Sequence, residues 1–311
     1  MPEINIIKLD GKPIEKLIEV ISNGIGILYK PRAIRKEAES ESYKIGIIEQ
    51  AKSKAIAEGK ELEVETYLRI QERILFKETE RQNIIDNVVS IAAEQLKNEE
   101  NISDQPVDKD WSKRFFDIVQ DISDEEMQAL WGRILAGETK EPNSYSKRTL
   151  EILKNLSKEE AEIFTKFAEL KIEVSNSFIW NNDNGNFIKE EFGITFNHRL
   201  LMTELGLISS ENNLEFSFGP TNNDKQTLVM KYGKKAIVLY REENTPKQPI
   251  QVLVFTKIGI ELSKLIEPKS NENYIEKICS SFTNDKVRIE YGDFIKNNQG
   301  MFLVNKTDYK K

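Results

Sequence analysis

Behind Pro13, apolar residues recur at Ile14, Leu17, Ile18 and Ile21, the spacing of one helical face, until Gly24 and Gly26 interrupt the pattern. This predicts a short amphipathic helix. Gly24-Ile25-Gly26 has the start of a dinucleotide fingerprint but follows a helix, lacks the third glycine and sits in no strand–helix–strand context, so it reads as a helix stop. Beyond it, Ile25, Ile27, Leu28 and Tyr29 lie beside Lys30, Arg32, Arg35 and Lys36, which leaves a membrane-surface role open for residues 14–30; packing on a partner helix leads.

From Pro31, well placed as a first helical residue, to about Lys97 the chain has no further proline and is rich in strong helix formers. Ile34, Ala38, Ile45, Ile48, Ala55 and Leu62 trace an approximate heptad seam, faulted at Glu41, Lys52 and Gly59. Unbroken, about 65 residues would make a rod of roughly 100 Å. A lone surface rod of that length is implausible, so residues 31–98 form a long helix that oligomerises or a hairpin that breaks at Gly59.

The polar stretch 98–110, with Pro106, reads as a linker. Residues 106–170 then form a helical block opened by Trp111, Phe115 and Phe116. Ser123-Asp124-Glu125-Glu126 predicts a capping box ahead of the stripe Met127, Leu130, Trp131, Ile134 and Leu135, with Gly137 ending that helix. Trp131 is assigned to the core. Leu150, Ile152, Leu153 and Leu156 supply another apolar face, and Ser157-Lys158-Glu159-Glu160 repeats the capping device before Phe164, Phe167 and Ala168.

From Lys171 onward β-branched residues and asparagines increase. A helix over Thr195 to Glu204, with Leu200 and Leu201, runs into Leu205-Gly206-Leu207-Ile208 and then a two-stranded wing in SSENNLEFSFGP. Thr227 to Tyr232 and Ala236 to Tyr240 read as strands about a turn at Gly233-Lys234-Lys235, with Gln251 to Phe255 as another. A helix over Ile260 to Ile266 follows, and Val287 to Glu290 with Met301 to Val304 closes a small sheet. The predicted class is α+β and mostly α: an amphipathic segment (1–30), a long helix or hairpin (31–98), a helical block (106–170) and a winged-helix-like region (171–311).

Composition narrows the chemistry. The 311 residues hold one Cys and one His, with 45 Lys+Arg against 52 Asp+Glu and a net charge of −7. Cys279 alone excludes an intrachain disulfide or a cysteine metal cluster and fits a reducing cytoplasm. His198 alone excludes a multi-histidine metal site, and neither residue lies in a nucleophile-elbow context. No catalytic, cofactor or metal residues are assigned. Asp224, Asp285, Glu290 and Asp293 match no two-metal signature. The opening residues lack a secretory leader, and no stretch is long and apolar enough to span a bilayer. Two interaction sites are assigned instead. Asn197, His198 and Arg199 on the wing-preceding helix could meet a nucleic-acid groove or a partner, with Lys225, Lys231, Lys234 and Lys235 on phosphates. The loop after Gly137, with Arg133, Ser146 and Arg148, is the second.

Four stretches carry a family likeness: Gly11 to Ser40, SDEEMQALWGRILAGE from Ser123, SYSKRTLEILKNLSKEEAEIF from Ser144, and FTKIGIELSKLI from Phe255. Together they resemble a bacterial family, domain of unknown function 2806, itself similar to the abortive-infection alpha proteins. The resemblance implies a role in defence against phage and supplies no catalytic residues. The expectation is a cytoplasmic, non-enzymatic, homo-oligomeric sensor or effector with a phage or host protein partner. A nucleic-acid-binding winged helix and a membrane-active effector are the alternatives.

Overall fold

The computed structural model describes residues 11–26, 29, 46, 49, 53, 61–211, 214–297 and 300–309. The seam at Ile34, Ala38, Ile45, Ile48 and Ala55, the break at Gly59 and the basic residues 30–36 lie outside them. The described residues form an α+β protein of ten helices and one antiparallel sheet of eight strands. It divides into two compact units, 1–150 and 151–311.

The first unit is helical. Helix α1 (Lys12–Ile25) starts at Pro13 and ends where Gly26 turns left-handed, φ 77°, so that its N–H reaches the Ser22 carbonyl. Its Ile14, Leu17, Val20 and Ile21 face is buried. Helix α2 (Glu61–Leu96) buries Ile85, Val88, Val89, Ala92, Ala93 and Leu96 at its C-terminal end. Helix α3 (Lys109–Val119) is capped by Asp108, whose carboxylate accepts the Trp111 amide at 2.7 Å. Helix α4 (Glu125–Lys140) packs on α1 and α2. Two glycines set the spacing. A Cβ on Gly24 of α1 would overlap the Phe116 ring of α3, and one on Gly132 of α4 would lie 2.7 Å from Ile91 Cβ of α2. The aromatic centre is Phe115, with Trp111 stacked at 5.1 Å and Trp131, fully buried, edge-on at 5.4 Å.

Two punctuation readings are corrected. Asp124, and not Ser123, caps α4, accepting the Met127 amide at 2.8 Å. Gly137 does not end α4; the helix runs on to Lys140, because Gly137 makes room for Tyr145, whose ring carbon would lie 2.9 Å from a Cβ there. The Ser157 capping box is present in full, with Glu160 accepting the Ser157 amide at 2.7 Å.

Helix α5 (Lys147–Asn155) crosses the boundary between the units, and α6 (Lys158–Ala168) belongs to the second. There follow β1 (Ile172–Glu173), β2 (Ser177–Trp180), α7 (Asn186–Phe192), α8 (Phe196–Glu204), β3 (Leu214–Phe218), β4 (Gln226–Tyr232), β5 (Lys235–Arg241), β6 (Gln248–Val254), α9 (Lys257–Ser263), α10 (Glu272–Ser281), β7 (Val287–Asn297) and β8 (Gly300–Asp308). The strands join in the order β3-β6-β2-β1-β4-β5-β7-β8. The β4–β5 hairpin matches the sequence reading. The strand in SSENNLEFSFGP does not fold back on its own segment; β3 pairs with β6 in the register Leu214↔Val252 to Phe218↔Gln248. The last two strands are longer than predicted and extend this one sheet, and α9 begins three residues earlier than expected because Thr256 caps it on the Gly259 amide. Helices α7 and α10 are additions to the prediction. Tyr274 latches α10 to the sheet: its hydroxyl donates to the Leu170 carbonyl at 3.0 Å and accepts the Trp180 amide at 2.9 Å, and burial pushes its pKa well up.

Candidate functional site

Helix α8 carries the first predicted site. Thr195 caps it, its hydroxyl accepting the His198 amide at 3.3 Å while His198 Nδ1 accepts the Thr195 amide at 3.4 Å. His198 is therefore a capping residue, turned back onto the helix start. Arg199 is half-buried and lies over the Phe196 ring at 5.7 Å, with Nη1 at 3.5 Å from the Asn184 carbonyl. Asn197 is exposed. What α8 offers to solvent most is apolar: Phe196 is 67% and Leu200 48% exposed, one turn apart, while Met202 faces the core. The sequence reading took Leu200 as part of the apolar face and did not single out Phe196. The signal is an apolar i,i+4 pair out of phase with the buried Met202.

The lysines do not join α8. Lys231, Lys234 and Lys235 belong to the β4–β5 hairpin and Lys225 lies just ahead of it, and β1 and β2 separate that hairpin from the β6–β3 pair. Each has a partner: Lys225 with Glu242 at 2.6 Å, Lys234 with Glu267 at 2.9 Å, and Lys235 with Asp293 at 3.7 Å and Glu272 at 3.8 Å. Lys231 lies over the Phe294 ring at 4.7 Å. Hydrogen bonds to the two glutamates raise the pKa of Lys225 and Lys234. Residues 158–211, which hold α6, β1, β2, α7 and α8, carry ten acidic side chains and five basic ones. The four lysines are thus engaged by partners outside α8.

The loop after α4 is built around one buried carboxylate. Glu138 is 1% exposed, and its two oxygens accept the amides of Asn143 at 2.7 Å and Tyr145 at 2.9 Å. These bonds hold Asn143 in the left-handed region, φ 72°. Ser146 accepts the Thr149 amide at 3.3 Å at the start of α5, which gives it a capping role. Arg133 and Arg148 are exposed on α4 and α5. Sequence reading missed Glu138 because a glutamate near a helix end looks like a surface residue.

The other chemical candidates are engaged or separated. Cys279 is buried, and burial raises its pKa to about 12. Glu290 accepts from the Tyr240 hydroxyl at 2.9 Å and pairs with Arg288 and Lys306, while Asp293 meets Lys235 and Asn305. Among the described residues no group of three or more His, Cys, Asp or Glu could hold a metal ion, and no helix is long and apolar enough to cross a membrane. The apolar face of α1, considered for membrane contact, is buried within its own unit.

Fold and surface together define an α+β protein whose helix α8 exposes the apolar pair Phe196 and Leu200. Its sequence matches a family model, Protein of unknown function (DUF2806), over residues 68–279, and the chain belongs to that family. No curated protein and no solved structure matches it.

Proposed function

We propose that this chain is a non-enzymatic, oligomerising sensor or effector of bacterial anti-phage defence, of the abortive-infection kind, acting through a winged-helix-like module in its second unit. The connectivity supports the module: α7 and α8 follow β2, β3 comes next, and β6 returns between β3 and β2. In this reading the β4–β5 hairpin is an insertion.

The observation that carries the interaction role is the exposed pair Phe196 and Leu200. A helix that reads a duplex groove presents hydrogen-bonding and basic side chains. Here the outward positions are Phe196, Asn197, Leu200 and Glu204, with no basic side chain among them. Such a face lacks the basic side chains that bind phosphate and suits a protein partner. The non-enzymatic part rests on the engaged state of the reactive candidates, with Cys279 buried as a thiol and His198 committed to a cap.

Infection assays test the reading. Cells expressing the wild-type chain should plate a panel of phages at least about tenfold less efficiently than controls, and Leu200→Glu should restore plating. A wild-type chain without effect on any phage contradicts the defence role. Retardation of duplex DNA by the purified protein, at about 50 mM salt, would transfer α8 to the nucleic-acid alternative.

A further inference from the structure

Asparagine followed by glycine occurs twice in the chain, at Asn23-Gly24 and Asn184-Gly185. A glycine in that place, having no Cβ, puts little steric resistance between its own amide nitrogen and the side-chain carbonyl carbon of the asparagine before it. The first pair lies inside α1, with Gly24 packed on the Phe116 ring of α3, and the helix holds its backbone. The second lies in the turn between β2 and α7, where Asn184 is exposed and left-handed, φ 59°, and Gly185 follows at φ 87°. The peptide group that joins Asn184 to Gly185 is polarised from both sides. The Asp183 carboxylate accepts its N–H, Gly185 N to Oδ1, at 3.2 Å, and Arg199 Nη1 of α8 donates to its carbonyl oxygen, on Asn184, at 3.5 Å. A Cβ on Gly185 would lie 3.0 Å from that same Nη1, so the missing side chain is what lets the guanidinium approach.

A base on the amide hydrogen and a cation on the carbonyl oxygen both favour negative charge on the peptide nitrogen, which makes that nitrogen a better nucleophile. From this we propose that Asn184 is a self-modification site, independent of the defence reading. The Gly185 nitrogen bonds to Asn184 Cγ while the Cγ–Nδ2 bond breaks. The proton that Asp183 takes from the Gly185 nitrogen passes to the departing Nδ2, which leaves as ammonia, and a cyclic imide remains. Water then opens the imide. Cleavage at Cγ gives aspartate, and cleavage at the main-chain carbonyl carbon gives isoaspartate, with the chain rerouted through the side chain. The reacting groups are the chain's own and water is the co-reactant. Either product adds a carboxylate in the turn that Arg199 contacts, and isoaspartate also lengthens the main chain there by one carbon.

Peptide mapping by mass spectrometry is the test. The purified full chain is held under native conditions in mildly alkaline buffer, and the peptides carrying Asn23 and Asn184 are followed in time for conversion of amide to acid, with isoaspartate scored by enzymatic methylation. Asn184 should convert at least about tenfold faster than Asn23, with isoaspartate among its products. Asp183→Asn and Arg199→Gln should each slow the conversion by about tenfold. Asp183 also holds the turn, its Oδ2 accepting the Phe187 amide at 2.9 Å. A turn merely loosened by either substitution would react faster, so a slower rate reports lost activation. Asn184 as intact as Asn23 in the wild type overturns the site. A rate unchanged or raised in one of the variants overturns the role given to that residue.

Discussion

Gly259, at the start of α9, faces the carbonyl group of Leu207, just beyond the end of α8. A Cβ at residue 259 would overlap the Leu207 oxygen and lie 3.1 Å from its carbonyl carbon. That same oxygen accepts the Thr256 amide at 3.1 Å, and the Thr256 hydroxyl donates to the Gly206 carbonyl at 2.5 Å. The Leu205-Gly206-Leu207-Ile208 turn and the Thr256-Lys257-Ile258-Gly259 helix start, some fifty residues apart in sequence, are thereby locked backbone to backbone. Gly259→Ala should destabilise the second unit by about 1–3 kcal/mol, the cost of forcing a methyl against atoms that cannot retreat. Urea denaturation checks this; a midpoint unchanged from wild type would show that the junction gives way.

Glu138 predicts a local effect of a different kind. Glu138→Ala strands the buried amide of Tyr145 and the part-buried amide of Asn143, at roughly 1–3 kcal/mol for a fully buried group. The loop 141–146 should lose amide-exchange protection ahead of the rest of the first unit. Glu138→Gln, which keeps one acceptor oxygen, should fall between. Exchange measured residue by residue decides, and equal protection in all three proteins would sink the assignment.

Asp108 gives the first unit a pH dependence. The hydrogen bond from the Trp111 amide, and then Lys147, hold its carboxyl below the usual range. A carboxyl whose pKa is lower folded than unfolded stabilises fully above the unfolded value, about 3.9, and loses that contribution as pH falls through the folded value. Stability should therefore drop with acid below about pH 4. Asp108→Asn, still a good cap, should flatten this part of the profile. Identical acid limbs in thermal melts of the two proteins would contradict the linkage.

Cys279 should be silent in the native protein. Buried, with its pKa raised to about 12, it is a protonated thiol at neutral pH. Alkylation by iodoacetamide should proceed only as fast as the chain opens, and should accelerate sharply in urea. Rapid stoichiometric labelling under native conditions would place the thiol at the surface.

Much of this protein was legible along the chain. The α1 face, the burial of Trp131, the Ser157 capping box and the β4–β5 hairpin follow from spacing and short-range hydrogen bonding, which act within a few residues. Gly137 and Ser123 were misread because local rules alone assign a glycine to a helix end and a serine to a cap. Tyr145, eight residues on, takes the space above Gly137, which no short window shows; at α4, Ser123 and Asp124 are equally good caps by local rules, and the folded backbone chooses Asp124.

By itself the sequence determined the α+β class, most of the helical segments and the poverty of reactive groups. The tertiary structure decided what surrounds each side chain. It turned His198 inward onto Thr195, tied Lys234 and Lys235 to acids far along the chain, and brought β3 to β6 across two intervening strands. It also left Phe196 and Leu200 facing outward, although their residue types favour burial. The physical reason is the same throughout. Propensity and capping are local, whereas exposure and pairing depend on which distant segment occupies the neighbouring space, and only the folded chain specifies that.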